Sequence, residues 1–182
     1  MRKRKKPARR RRPPARRRRR IAAAGAAPAP APPPPVAAAT QVEQRGLPIV
    51  AALARVARGA GAPRARLESA MRILFTAYGA SDPDFSGLLL TGWARARHDK
   101  QFRLTLAWQR EQIRLSIEDI LVEGVRTRGF RADLDAGAVS AVIVGAAEGC
   151  LFQAATEGGA VTGERLVRSL LTLAVGGAVS GA

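Results

Sequence analysis

Residues 136–157 set the hardest constraint on this chain. Read as a helix, the stretch is apolar on nearly every side: Val139, Val142, Ile143, Val144, Ala146, Ala147, Leu151 and Phe152 leave no polar face. Such a helix has to be covered from several directions, which argues for a subunit interface. Glu148 sits in the middle of it, and a carboxylate there is costly unless paired. It needs either an arginine of a partner subunit or an edge open to water. Ala138, Ala141, Gly145 and Gly149 recur at threes and fours and would let two backbones approach closely.

The sequence around this stretch keeps a helical period. Pro63 suits the first turn of a helix over 63–79, with Leu67, Met71, Leu74, Phe75 and Tyr78 on one face and Gly79 at its end. Ser81-Asp82-Pro83-Asp84 opens a helix over 82–98, whose stripe is Phe85, Leu88, Leu89, Trp93 and Ala96 and whose end is basic at Arg95, Arg97 and His98. The longest helix is predicted over 100–127, with Phe102, Leu106, Gln109, Ile113, Ile117, Ile120, Leu121 and Val125 at threes and fours and Gly129 as the stop. Asp133 or Asp135 caps 136–157, and Gly158-Gly159 end it. Thr162-Gly163-Glu164 opens a last helix over 163–175, carrying Leu166, Val167, Leu170, Leu171, Leu173 and Val175. No segment alternates as a strand would, so the fold class is all-α, with five helices from Pro63 onward.

Ahead of Pro63 the chain changes character. The formal net charge is +17, but residues 1–20 hold 14 of the cations and no acid, so the remainder is close to neutral. Like charges and Pro7, Pro13 and Pro14 deny that block a helix, and residues 21–40 are alanine and proline ending in Pro32 to Pro35. Residues 1–40 are therefore expected to be disordered. Residues 41–62 read as a linker with a short helix at about 47–60, on Leu47, Val50, Leu53, Ala54 and Ala57. The folded domain is placed at 63–176.

Several classes of function drop out. With one cysteine, Cys150, and one histidine, His98, the chain offers no disulfide, no His/Cys metal site and no His-based triad. Cys150 reads as a small buried hydrophobe and His98 as a solvated helix end. No cofactor and no catalytic role is expected, so the chain is not read as an enzyme. No stretch of 18 apolar residues is free of charge and proline, so no membrane span is expected, and the chain is placed in the cytoplasm.

Four stretches together resemble the C-terminal half of a TetR-family transcriptional regulator. They are Pro63-Arg64-Ala65-Arg66-Leu67-Glu68, Gly92 to Asp99, Ile120 to Asp135 and Ala146 to Ala154. The third is the most telling: a long helix, a Gly-Phe-Arg turn at 129–131, an acidic cap, then a very apolar helix. The resemblance covers about 63–175, and 47–60 stands as the remnant of the helix before it. It implies an effector-binding and dimerisation domain. The effector would be small and apolar, held by Met71, Phe75, Leu89, Trp93, Phe102, Trp108, Gln109, Gln112 and Ile113. The homodimer would use the last two helices through Val139, Val142, Ile143, Leu151, Leu166, Leu170 and Leu171. Each of these residues taken singly also suits plain core packing.

Such regulators begin with a helix-turn-helix unit of three helices. Residues 1–40 show none of its pattern, so the DNA-reading half is expected to be absent, and a shifted reading frame in a GC-rich gene would account for the Arg/Ala/Pro start. DNA contact is then left to the arm. Arg9, Arg10, Arg11, Arg12, Arg16, Arg17, Arg18, Arg19 and Arg20 would neutralise phosphates without reading sequence. That supports the alternative reading of a basic-armed dimeric protein that binds nucleic acid non-specifically.

Overall fold

The computed structural model describes residues 35–79, 83–157 and 163–175. The expectations for the arm, for Arg9 to Arg20 and for a DNA-reading unit fall outside the described residues. Within them the chain forms six helices and no strand: α1 (Pro35–Ala57), α2 (Pro63–Ala77), α3 (Pro83–Ala96), α4 (Lys100–Arg126), α5 (Ala136–Glu157) and α6 (Gly163–Val175). α2 to α6 are the five helices expected, with ends within two residues of those read from the sequence.

α1 differs from expectation. It runs 23 residues, where a short helix at 47–60 and disorder up to 40 were predicted. Alanine is the best helix former, yet it adds little to an apolar stripe, so Ala37-Ala38-Ala39 passed for spacer. In the fold Ala38, Ala39, Val42 and Leu53 are buried, which makes this helix part of the core. Pro48 lies inside it and cannot donate to the Gln44 carbonyl, so the sequence reads as a break where the helix continues.

α4 is the central helix, packed against α1, α2, α3 and α5. Its inner face is Phe102, Gln109, Ile113, Ser116, Ile117, Ile120, Leu121 and Gly124, all buried. Asp99 caps its start, accepting from the backbone N–H of Gln101 at 2.9 Å and of Phe102 at 3.3 Å. At its end Arg128, at φ 59°, is the left-handed residue. Gly129 N–H donates to Gly124 O at 2.8 Å and Arg128 N–H to Val125 O at 3.0 Å, the paired bonds of a Schellman cap. Gly129, expected as the stop, follows that left-handed residue. Asp135, and not Asp133, caps α5 by accepting from Ala138 N–H at 2.9 Å.

α5 is covered on one side only. Ile143, Val144, Ala147 and Leu151 are buried, while Val142 and Phe152 are more than half exposed. Its stretch Ala136–Gln153 has a mean hydropathy of 1.5, so by length and composition it could cross a membrane despite Glu148; a third of it is buried in the domain. α6 packs on α2, where Val167 and Leu171 are buried, Gly163 meets Phe75, and Glu164 pairs with Arg72.

Candidate functional site: a cleft between the first three helices

A cleft of about 560 Å³ lies among α1, α2 and α3, lined by Arg45, Ile49, Arg72, Ile73, Thr76, Ala77 and Phe85. The arrangement follows from helical spacing. Arg45 and Ile49 are one turn apart on α1, and Arg72, Ile73, Thr76 and Ala77 make the flank of α2 beside its buried stripe. Ile49, Ile73, Ala77 and Phe85 give the cleft an apolar floor. The Arg45 guanidinium lies 5.2 Å above the centre of the Phe85 ring, within cation–π range. Arg72, on α2, is chelated by Glu164 through Nε at 3.2 Å and Nη2 at 2.8 Å, with Glu68 Oε1 2.7 Å from Nη2. Those carboxylates, Glu164 first, raise the Arg72 pKa, and Arg72 in turn lowers that of Glu164.

A second, shallower groove of about 330 Å³ runs between α3, α4 and α5. Trp93 and Phe152 meet there with ring centres 5.3 Å apart. Arg110 Nε lies 2.9 Å from Glu148 Oε1. The partner that Glu148 requires is therefore an arginine of α4 in the same chain. Burial raises the Glu148 pKa and the Arg110 charge pulls it back. Tyr78 is pushed up to about 12, first by burial and then by the Glu148 charge.

The residues named for an effector pocket divide into groups. Met71, Phe75, Leu89, Phe102 and Ile113 come together, but as closely packed core with 0–3% exposure. Gln109 is buried and donates from Nε2 to Val42 O at 3.1 Å and Glu43 O at 3.4 Å, so its amide is spent on α1. Gln112 is half-buried, Trp93 lines the second groove, and Trp108 is 47% exposed on the outer face of α4. Of the cleft residues, only Phe85 was singled out in the sequence, as part of a buried stripe. The others sit on helix flanks, mixed in charge and size, and carry no periodic signal. The residues named for a dimer also divide. Ile143, Leu151 and Leu171 are buried within the subunit, Val139, Leu166 and Leu170 are half-buried, and Val142 is 61% exposed.

Among the described residues no three His, Cys, Asp or Glu side chains group as metal ligands. Cys150 is buried and its pKa is raised by that burial, the opposite of what an attacking thiol needs.

Residues 63–175, α2 through α6, match the family described as BetI-type transcriptional repressor, C-terminal. The chain belongs to the TetR family of transcriptional regulators. Comparison with curated proteins and with solved structures gave no match. The match begins at Pro63, so α1, which supplies one wall of the cleft, precedes the part of the TetR-family domain that the comparison covers.

Proposed function

We propose that this TetR-family domain is the effector-binding and dimerisation part of a ligand-responsive transcriptional repressor, working in the cytoplasm and without catalytic chemistry. The cleft between α1, α2 and α3 is the effector site. The observation that carries this reading is that a mostly apolar recess of about 560 Å³ is lined from three different helices, one of them ahead of the matched region. A molecule seated there touches α1 through Arg45 and Ile49 and touches α2 and α3 through Ile73, Ala77 and Phe85. Filling the cleft favours one spacing of α1 against α2 by as much as the effector's affinity differs between the two spacings.

The homodimer forms through the outer face of α5. Val142 and Phe152 are exposed there, and side-chain positions at Gly145 and Gly149 open onto empty space, so a second helix can approach closely. An apolar helix one-third buried by its own domain asks for such cover.

Two measurements test this. The neutral fluorescent probe N-phenyl-1-naphthylamine should brighten on binding the wild-type chain and fail to do so with Ala77→Trp, whose indole fills the cleft. Sedimentation should give a dimer for wild type at micromolar concentration and a monomer for Val142→Glu. Val142 already faces solvent, so the substitution leaves the subunit folded. Probe binding unaffected by Ala77→Trp, or a monomeric wild type, overturns the corresponding half of the reading.

A further inference from the structure

We infer that a second copy of the chain packs across α4 as well as α5, so that the homodimer is a bundle of two helices from each subunit. This rests on the proposal that α5 carries the dimer contact. The outer face of α4 bears a row of large apolar side chains open to solvent: Leu104 and Val122 are more than half exposed, Trp108 and Leu115 more than a third. Trp108, Leu115 and Val122 follow one another at intervals of seven residues, and Leu104 lies one turn before Trp108, the spacing of a helix–helix seam. Exposed hydrophobics scattered singly are ordinary, whereas a row on one face of one helix marks an interaction surface.

The row joins the exposed face of α5. Arg110 of α4 reaches Glu148 at 2.9 Å and Arg114 reaches Ser140 at 3.5 Å, so the two helices lie antiparallel. That register sets Leu104 level with Phe152 and Leu115 level with Val142. A recess of about 210 Å³ between the rows is lined by Ala107, Glu111 and Ala141, each beside or one turn from a member of a row. The charges there are spent within the subunit, Arg110 on Glu148 and Arg114 on Glu111 and Glu118, so the surface asks for no partner of opposite charge. It is also self-complementary. α4 carries the large residues, while α5 carries Ala138, Ala141, Gly145 and Gly149, and a Cβ at either glycine meets nothing within 4 Å. A two-fold axis lays α4 of one subunit on α5 of the other, and Trp108 and Leu115 then fill the open space over the glycines. Area points the same way. A stable dimer buries about 800 Å² from each partner. α5 alone, with Val142 and Phe152 as its exposed large residues, is too narrow to supply that, and the α4 row widens it.

Sedimentation of the full chain and the emission of Trp108 test this. Leu115→Glu, at a position already open to solvent, should weaken dimerisation at least about tenfold, because it puts an unpaired charge in the seam. Leu173→Glu should leave dimerisation unchanged, although Leu173, on α6, is the more exposed of the two. Trp93→Phe leaves Trp108 as the one indole of the chain. Its emission should move to the blue as concentration rises through the monomer–dimer range, a readout that places no variant in the seam. With Val142→Glu added, the emission should hold its monomer value at every concentration. Leu115→Glu as dimeric as wild type, or Trp108 emission that ignores concentration in a chain that dimerises, overturns the inference; if Val142→Glu is still monomeric, the α5 contact stands without α4. Dimerisation lost in Leu173→Glu and kept in Leu115→Glu gives the second helix to α6 and overturns it equally. A wild type that stays monomeric at micromolar concentration removes the α5 contact and this inference together.

Discussion

Arg66 donates from Nη1 to the Ala57 carbonyl at 2.7 Å, so a side chain of α2 closes the C-terminus of α1. The same guanidinium stands 2.7 Å from Glu123 of α4 through Nη2, an approach that is ionic and not an aligned hydrogen bond. One side chain thus holds three helices, at 7% exposure. Arg66→Ala leaves the Ala57 carbonyl without its side-chain donor and Glu123 without its cation. Its cost should be about 2–3 kcal/mol in urea unfolding. Glu123→Gln should cost less than about 1 kcal/mol, because Glu123 keeps contact with water. Equal losses for the two variants would show that the carbonyl bond is not the main contribution.

The end of α4 gives a pair of opposite effects. A Cβ at Gly124 would run into the Phe130 ring, which packs directly over it. Gly124→Ala should therefore destabilise by about 1–3 kcal/mol, although alanine is the better helix former. Arg128 is held at φ 59°, a conformation costing a non-glycine residue about 1 kcal/mol. Arg128→Gly should regain part of that, raising the thermal midpoint slightly. A destabilised Arg128→Gly would mean that the arginine side chain makes up for its backbone.

Tyr78 fixes an alkaline limit. Its hydroxyl is shifted from 10.0 up to about 12 by burial and by the Glu148 charge. The unfolded chain gives up this proton near its ordinary value, whereas the folded chain holds it to higher pH. The stability tied to the neutral hydroxyl is therefore complete below pH 10 and is lost as pH rises toward 12. Two pH units correspond to about 3 kcal/mol. Tyr78→Phe should flatten the fall in stability between pH 10 and pH 12 measured by denaturant titration. An unchanged slope would place the alkaline transition on other groups.

The fold was legible wherever a long side chain marked the buried face. Met71, Phe75, Phe102, Ile113 and Ile120 recur at threes and fours and fixed α2 and α4 closely. The acidic cap of α5 is local, so the sequence narrowed it to Asp133 or Asp135, whereas the Asp99 cap of α4 was not singled out. α1 was the largest miss. Its contact face is Ala38, Ala39, Val42 and Gly46, small residues that pack by letting another helix come near and leave no hydrophobic stripe. The proposed cleft was not legible in the sequence for a related reason. Large apolar residues were assigned to a pocket, but large apolar residues fill space. The cleft lies where filling stops, among Arg45, Ile49, Arg72 and Thr76 on helix flanks. Which flank is left uncovered depends on how α1 crosses α2, and that is a tertiary fact.

The contact between Gln109 and α1 yields the last prediction. Pro48 removes the N–H that would have bonded the Gln44 carbonyl, which weakens the helix ladder one turn before it. At that turn the Gln109 amide donates to Val42 O and Glu43 O, and a Cβ at Gly46 would overlap the amide itself. Proline, glycine and glutamine therefore form one unit that seats α1 on α4. Gln109→Leu takes away a buried donor and should cost about 1–3 kcal/mol. Hydrogen exchange should quicken in α1 around residues 46–50 before it quickens in α4. Gly46→Ala should do similar damage by collision. Combined with Gln109→Ala it should cost much less than the two single losses added, since shortening residue 109 clears the space. Because α1 carries Arg45 and Ile49, both single variants should also weaken binding of N-phenyl-1-naphthylamine in the cleft. Additive stabilities in the double variant would show that Gly46 and Gln109 act separately, and unaltered probe binding would show that the seat of α1 does not set the width of the cleft.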